Sequence, residues 1–254
     1  MIRQRGARCW AIWGVIALAT AGCTIDADQE RAVRTWLECL DCGEEALAAV
    51  DSLADFDMET ALVLAMMGPP DSVRARVAEH LRASYRMAMR ELGAVPDRAA
   101  EDEYVRGRLA GFVAGYQWRA VTALGRIGTP RARRALRWAL RFGSWYPPHV
   151  ATEIRTQLAD SIVPVSATID TVVITAEAPY RPTVRVYRAG SPWSGAAVRF
   201  ATDGMGYARG SYAISDANGL AAVGAWFADS TPGLNLLLAK IPHDTVRFSI
   251  VGIH

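Results

Sequence analysis

The hydrophobic period of this 254-residue chain changes from helical to two near residue 165. Upstream, apolar residues recur every three or four positions, as in helices that bury one face. Downstream they alternate with polar residues, as in strands that bury one face. The change excludes a single uniform architecture. It predicts a helical region over residues 28–160 and a β-sandwich over 167–254, with Pro164-Val165-Ser166 between them.

The helical half is well punctuated. Val33, Trp36, Leu37 and Leu40 mark a first helix, capped by Asp28 and broken by Gly43. Residues 44–53 restart it with Leu47 and Val50. An apolar segment over 61–67 stops at Gly68-Pro69-Pro70, and Asp71 is the expected N-cap of the next helix. That helix carries Val73, Val77, Leu81, Tyr85, Ala88 and Leu92 on one face, and Gly93 and Pro96 end it. Val105, Leu109, Phe112, Tyr116, Ala120, Ala123 and Ile127 form the following stripe. Gly125 and Gly128 offer a sharp exit. Thr129 caps the next helix, and Pro130 takes its first position, where the missing N–H costs nothing. Ala132, Ala135, Leu136, Ala139 and Leu140 face back, and a last helix runs from about residue 148 to 159.

In the second half, Val172 and Ile174, Val184 and Val186, and Val198 and Phe200 alternate with polar neighbours. So do Val246, Phe248 and Ile250, and Leu234, Leu236 and Leu238 alternate around Asn235. Turn signals at 189–192, 203–204, 216–219 and 232–233 separate these runs. Short alternating strands with frequent turns predict an antiparallel sandwich.

Two stretches resemble known families. Residues 119–130 (RAVTALGRIGTP), followed by the Ala132–Leu140 stripe, resemble a short, alanine-rich HEAT-type repeat of phycobilisome-lyase-like proteins. The resemblance covers about residues 116–141. It implies antiparallel helices packed as a solenoid with scaffold or protein-binding surfaces, and no lyase chemistry. Gly195-Ala196-Ala197-Val198-Arg199-Phe200, the Asp216-Ala217-Asn218-Gly219 turn, Trp226, and Thr231-Pro232-Gly233 resemble bacterial immunoglobulin-like domains of the invasin and intimin type. That resemblance implies the sandwich fold, and modules used on cell surfaces.

The N-terminus reads as an address. Arg3, Arg5 and Arg8 precede a 13-residue apolar run over 9–21, shorter than the roughly 20 residues a membrane span needs. Ala21-Gly22-Cys23 resembles a lipobox, although Thr20 stands where a larger aliphatic residue is usual. The resemblance implies export and lipidation of Cys23, and so a membrane tether, with periplasmic or secreted protein as the alternative. Removal of residues 1–23 leaves 25 basic and 26 acidic residues, so a whole-chain nucleic-acid binder is not expected.

Few residues suggest chemistry. Cys39-x-x-Cys42 lacks further metal ligands, and its place near a helix C-terminus disfavours a reactive thiolate. Three-residue spacing and an oxidising compartment favour a local disulfide. The four histidines (His80, His149, His243, His254) are scattered, and no nucleophile or phosphate-binding motif occurs. No catalytic residue, metal or cofactor is expected. Arg131, Arg134, Trp138 and Arg141 share one helix face opposite the Ala/Leu stripe. Residues 124–141 hold six arginines and no acid, whereas residues 24–60 hold eleven acids and two bases. This polarity reads either as a solvated face or as a site for an acidic protein or another anionic envelope component. The expected function is a non-catalytic scaffold or binding protein. The alternative is adhesion or carbohydrate binding by the sandwich, with Trp193, Tyr207 and Tyr212 as stacking residues.

Overall fold

A computed structural model of the chain describes residues 27–38, 56–204 and 206–254. The leader, Cys23, the Cys39/Cys42 pair and the helix expected over 44–53 lie outside them. Within the described residues, six α-helices precede eleven β-strands. The helices are α1 (Ala27–Glu38), α2 (Phe56–Ala65), α3 (Asp71–Glu91), α4 (Arg98–Ile127), α5 (Pro130–Arg141) and α6 (Pro148–Gln157). A 3-10 turn, Gly143–Trp145, separates the last two.

α4 organises the helical half. Its 30 residues make a rod about 45 Å long, and its second half is buried on nearly every face. All five other described helices pack on it. A solenoid repeat contacts only its neighbours. Here one central helix collects the others, so the linear stacking implied by the HEAT-like stretch is not what the structure displays. The core comprises Trp36 and Leu37 of α1, Leu62 of α2, Leu124 of α4, Leu136 of α5 and Ile154 of α6 among others.

The caps explain the connections. Thr129 accepts a hydrogen bond from the Ala132 N–H at 3.1 Å, and Pro130 follows as the first residue of α5. Such a cap contributes about 1 kcal/mol. Gly128 ends α4 in the left-handed conformation, φ 66°. Two expectations are corrected nearby. Gly125 lies inside α4 and serves close packing on α6, not helix exit. Asp71 is the first residue of α3; Pro70 holds the cap position and offers no side-chain acceptor. The expected α3 stripe also sinks only at its start. Val73 is buried, but Ala88 is exposed and Leu92 is 74% exposed, because α3 and the start of α4 run out past the core as a hairpin. Arg86 and the buried Glu101 bridge that hairpin with two hydrogen bonds of 2.9 and 2.8 Å.

The β region begins earlier than the change of period suggests. Its first strand, β1 (Ser161–Pro164), follows α6 directly. It pairs with β3 (Thr183–Arg188), which also pairs with β4 (Ser191–Pro192) and β8 (Leu220–Ala222). A five-stranded sheet has the order β2 (Ile169–Val173), β11 (Asp244–Ile253), β10 (Gly233–Ile241), β5 (Ala197–Asp203), β7 (Tyr212–Ile214). A ribbon of β6 (Tyr207–Arg209) and β9 (Ala225–Phe227) completes the region. Inward residues of both sheets, such as Val184, Val186, Phe200, Leu237 and Phe248, form one core. Burying each large apolar side chain contributes about 1.5–3 kcal/mol.

Three further differences emerge. The sandwich is not wholly antiparallel: β2 runs parallel to the last strand, β11. The 216–219 turn does not close a hairpin. It carries the chain from β7, paired with β5, to β8, paired with β3 in the other sheet. In β10 the buried set is Asn235, Leu237, Ala239 and Ile241, while Leu234 is 64% exposed. The three leucines read as an inward face therefore point outward. Asn235 can occupy the core because its polar atoms are paired: Oδ1 accepts from the Asp229 N–H at 2.9 Å, and Nδ2 donates to the Gly233 carbonyl at 3.1 Å.

The two halves meet at α6. Leu158 belongs to the helical core and Ala159 to the β core. The Trp193 indole donates to the Arg155 carbonyl at 3.0 Å, and the Ala197 N–H donates to the Thr156 hydroxyl at 2.7 Å.

Candidate functional site

α5 is the most polarised helix. Ala132, Leu136 and Ala139 are fully buried against α4 and its neighbours, which turns the arginines outward. Of the four residues expected to share a binding face, Arg134, Trp138 and Arg141 are exposed. Arg131 is half-buried and donates to the Thr60 hydroxyl at 2.9 Å, so it fastens α5 to α2. Beside it, the Thr129 hydroxyl donates to the buried Glu59 carboxylate. Arg137, which was not among the four, is exposed between Arg134 and Arg141.

The aromatic part extends beyond Trp138. Its ring lies 4.8 Å from Phe142, and Phe142 lies 5.0 Å from Trp145. Trp138 is 40% exposed and Trp145 68% exposed. These three rings form a ladder at the C-terminal end of α5. Trp and Arg side by side are the residue types enriched in binding hot spots. Phe142 and Trp145 could have been found from the sequence, since they follow Trp138 at four and seven residues. The 3-10 turn that brings Trp145 back has no periodic signal.

The basic surface continues across the junction. Asp160 accepts from the Ala189 N–H at 2.7 Å and lies 3.7 Å from Arg133. Arg188 sits 4.5 Å over the Trp193 ring. Burial, and then the like charge of Arg137, hold the Arg188 guanidinium below its ordinary pKa, while Asp160 acts in the opposite sense. One carboxylate thus stands among Arg133, Arg137 and Arg188.

Other expected residues separate. Trp193 is tied to α6, Tyr207 lies on the β6–β9 ribbon and Tyr212 lies on β7 at the edge of the five-stranded sheet, so the three aromatics stand on three different elements. Tyr207 stacks on Phe227, with Arg209 over the same Phe227 ring. Asp216 Oδ1 accepts from the Asn218 and Leu220 N–H groups, both at 2.8 Å, and is spent on its turn. All four histidines are exposed. Among the described residues no cluster of three His, Cys, Asp or Glu side chains could hold a metal, and no helix is long and apolar enough to cross a membrane.

A groove of about 840 Å³ lies between α3 and α4 and ends against Glu38 of α1. Val77, Leu81 and Phe112 give it apolar walls, and Gly107, Gly111 and Gly115 line α4 along it. A Cβ on Gly107 or Gly111 would meet nothing within 4 Å, and one on Gly115 would meet only the Arg119 side chain, at 3.5 Å. Alanine would fit at all three and would favour the helix by about 1 kcal/mol at each. At the inner end, Arg119 Nε donates to the Leu37 carbonyl at 2.9 Å, while its Nη2, closed off from solvent, has no hydrogen-bond partner among the described residues. Burial lowers the Arg119 pKa.

The chain matches no known protein family and no curated protein. Solved structures of intimin domains are similar to part of it. The D0-D1 domain of intimin shares 23% identity over 38% of this chain and 48% of its own, with a TM-score of 0.31. The D00-D0 domain shares 17% over 38% and 47%, with a TM-score of 0.30. A C-terminal intimin fragment in complex with the intimin-binding domain of the translocated intimin receptor shares 23% over 37% and 32%, with a TM-score of 0.29. The chain spans about half the length, or less, of these structures.

Proposed function

We propose that this chain is a non-catalytic envelope protein that binds an acidic partner protein through the outer face of α5. The observation that carries the reading is one surface: Arg134, Arg137 and Arg141, with no ion pair among the described residues, beside the Trp138–Phe142–Trp145 ladder. Charge on such a face steers association, and a partly desolvated Trp or Arg supplies the affinity. Export and a lipid at Cys23 would place this face at a membrane. The scaffold role needs no repeat stacking, because rigidity comes from α4.

Photo-crosslinking from position 138 of the full chain in its native envelope tests the reading. One acidic partner is expected, and Arg134→Glu with Arg141→Glu should abolish its capture. Unchanged capture in that double variant would overturn the proposal. Palmitate-analogue labelling, lost in Cys23→Ser, tests the anchor.

Adhesion through the β region is the second reading. Its support is the exposure of Tyr207 (60%) and Tyr212 (67%). Surface binding that survives the arginine double variant and fails in Tyr207→Ala with Tyr212→Ala would favour it.

A further inference from the structure

The α3–α4 groove makes no use of the α5 face and calls for its own explanation. Three glycines repeat every four residues along the exposed wall of one helix, where alanine would fit and would stabilise it. Nothing among the described residues requires their missing side chains. Their effect is to lower the groove floor to the α4 backbone. The volume lies within the range of small-molecule sites, and such sites combine apolar walls with a few placed polar groups.

Charge indicates what those polar groups receive. Arg76, Arg108 and Arg119 line the groove, and Glu38 is its one carboxylate. Glu38 is already engaged by Arg76 at 2.6 Å. Arg108 lies over the Tyr104 ring, 5.6 Å from its centroid, and has no carboxylate partner among the described residues. Arg119 is fixed to α1 through Nε and lines the inner end of the groove. A guanidinium held in place at the end of an apolar groove favours a carboxylate through a charge-assisted hydrogen bond. From Arg119 to Tyr104 the groove follows fifteen residues of α4, about 22 Å.

We propose that this groove binds a long-chain acyl carboxylate. Its head accepts from Arg119, and its chain lies over Gly115, Gly111 and Gly107 toward Leu81. A second copy of the chain is the poorer occupant, because two arginine-lined rims would face each other.

Titration of the purified full chain with an intrinsically fluorescent polyene fatty acid tests this. Saturable one-to-one binding is expected, with displacement by palmitate and about tenfold weaker displacement by hexadecanol, which lacks the charge. Gly111→Leu fills open space and should weaken binding by about tenfold without lowering the melting temperature. Arg119→Gln should erase the preference for palmitate over hexadecanol. If Arg119→Gln folds poorly, Arg119→Lys, which keeps the charge, should retain that preference. The proposal is overturned by absence of saturable binding, by wild-type affinity in Gly111→Leu, or by equal displacement by palmitate and hexadecanol. A concentration-dependent dimer that Gly111→Leu abolishes would also overturn it, and would assign the groove to a second copy.

Discussion

Gly125 and Gln157 compete for one space: a Cβ built on Gly125 would lie 2.0 Å from Gln157 Oε1 and 2.3 Å from its Cδ. The α4 backbone therefore touches the α6 side chain directly. Gln157 is itself buried and donates to Glu153 at 2.6 Å, so it has little room to withdraw. Gly125→Ala is expected to destabilise the chain by about 1–3 kcal/mol, the usual cost of overpacking. Gln157→Ala in the same chain should recover part of that loss. Urea unfolding of the two single variants and the double variant measures the coupling, and strict additivity would disprove the contact.

The Arg86–Glu101 pair gives the α3–α4 hairpin a pH dependence. The Arg86 hydrogen bond holds the Glu101 carboxyl below its ordinary value of 4.5. A carboxyl lowered on folding stabilises above its unfolded pKa, and that stability is lost as pH falls through the folded value. Wild type should exceed Glu101→Gln in urea midpoint at neutral pH. The difference should shrink below pH 4.5. A difference that grows with acidity would contradict the sign.

Asn235 is expected to be worth more than the leucine that a simple apolar pattern would place there. Asn235→Leu removes an acceptor from the Asp229 N–H and a donor to the Gly233 carbonyl. The cost should be about 1–3 kcal/mol despite the gain in apolar surface. Equal or greater stability in chemical denaturation would refute the inward orientation.

Trp193 joins the two halves through its indole donor and its contact with Arg188. Trp193→Phe keeps an aromatic ring and removes the donor. A single calorimetric transition in the wild type should broaden or split in this variant, with a loss of about 1 kcal/mol. A sharp, unshifted transition would show that the junction does not depend on the bond.

The sequence was informative where one residue type has one structural consequence. Thr129-Pro130 caps α5 because a hydroxyl acceptor and a missing N–H suit a helix start in any context. Val184, Val186 and Phe200 are buried as their alternation implies. It misled where tertiary pairing overrides composition. Leu234, Leu236 and Leu238 look like a core face, but side-chain hydrogen bonds bring Asn235 in and turn the leucines out. Gly125 reads as an exit because the approach of α6 is invisible in a local window. The α5 face was legible as a row of Arg and Trp. Its loss of Arg131 to Thr60 was not, since that partner lies 71 residues away. The α3–α4 groove has no local signature in the sequence, because it depends on which neighbours stand away from three glycines.

The direct passage from α6 into β1 also sets an order of birth. Residues leave the ribosome from the N-terminus, so Ser161–Pro164 emerges with the helices and about twenty residues before its partner strand, Thr183–Arg188. Until that strand follows, β1 has no ladder to join. Until Ala197 follows, the Thr156 hydroxyl lacks its backbone donor. The helical half therefore cannot finish as a closed object on its own. Its last turn waits for the β half, and a chain truncated just after β1 would carry a ready, unpaired edge.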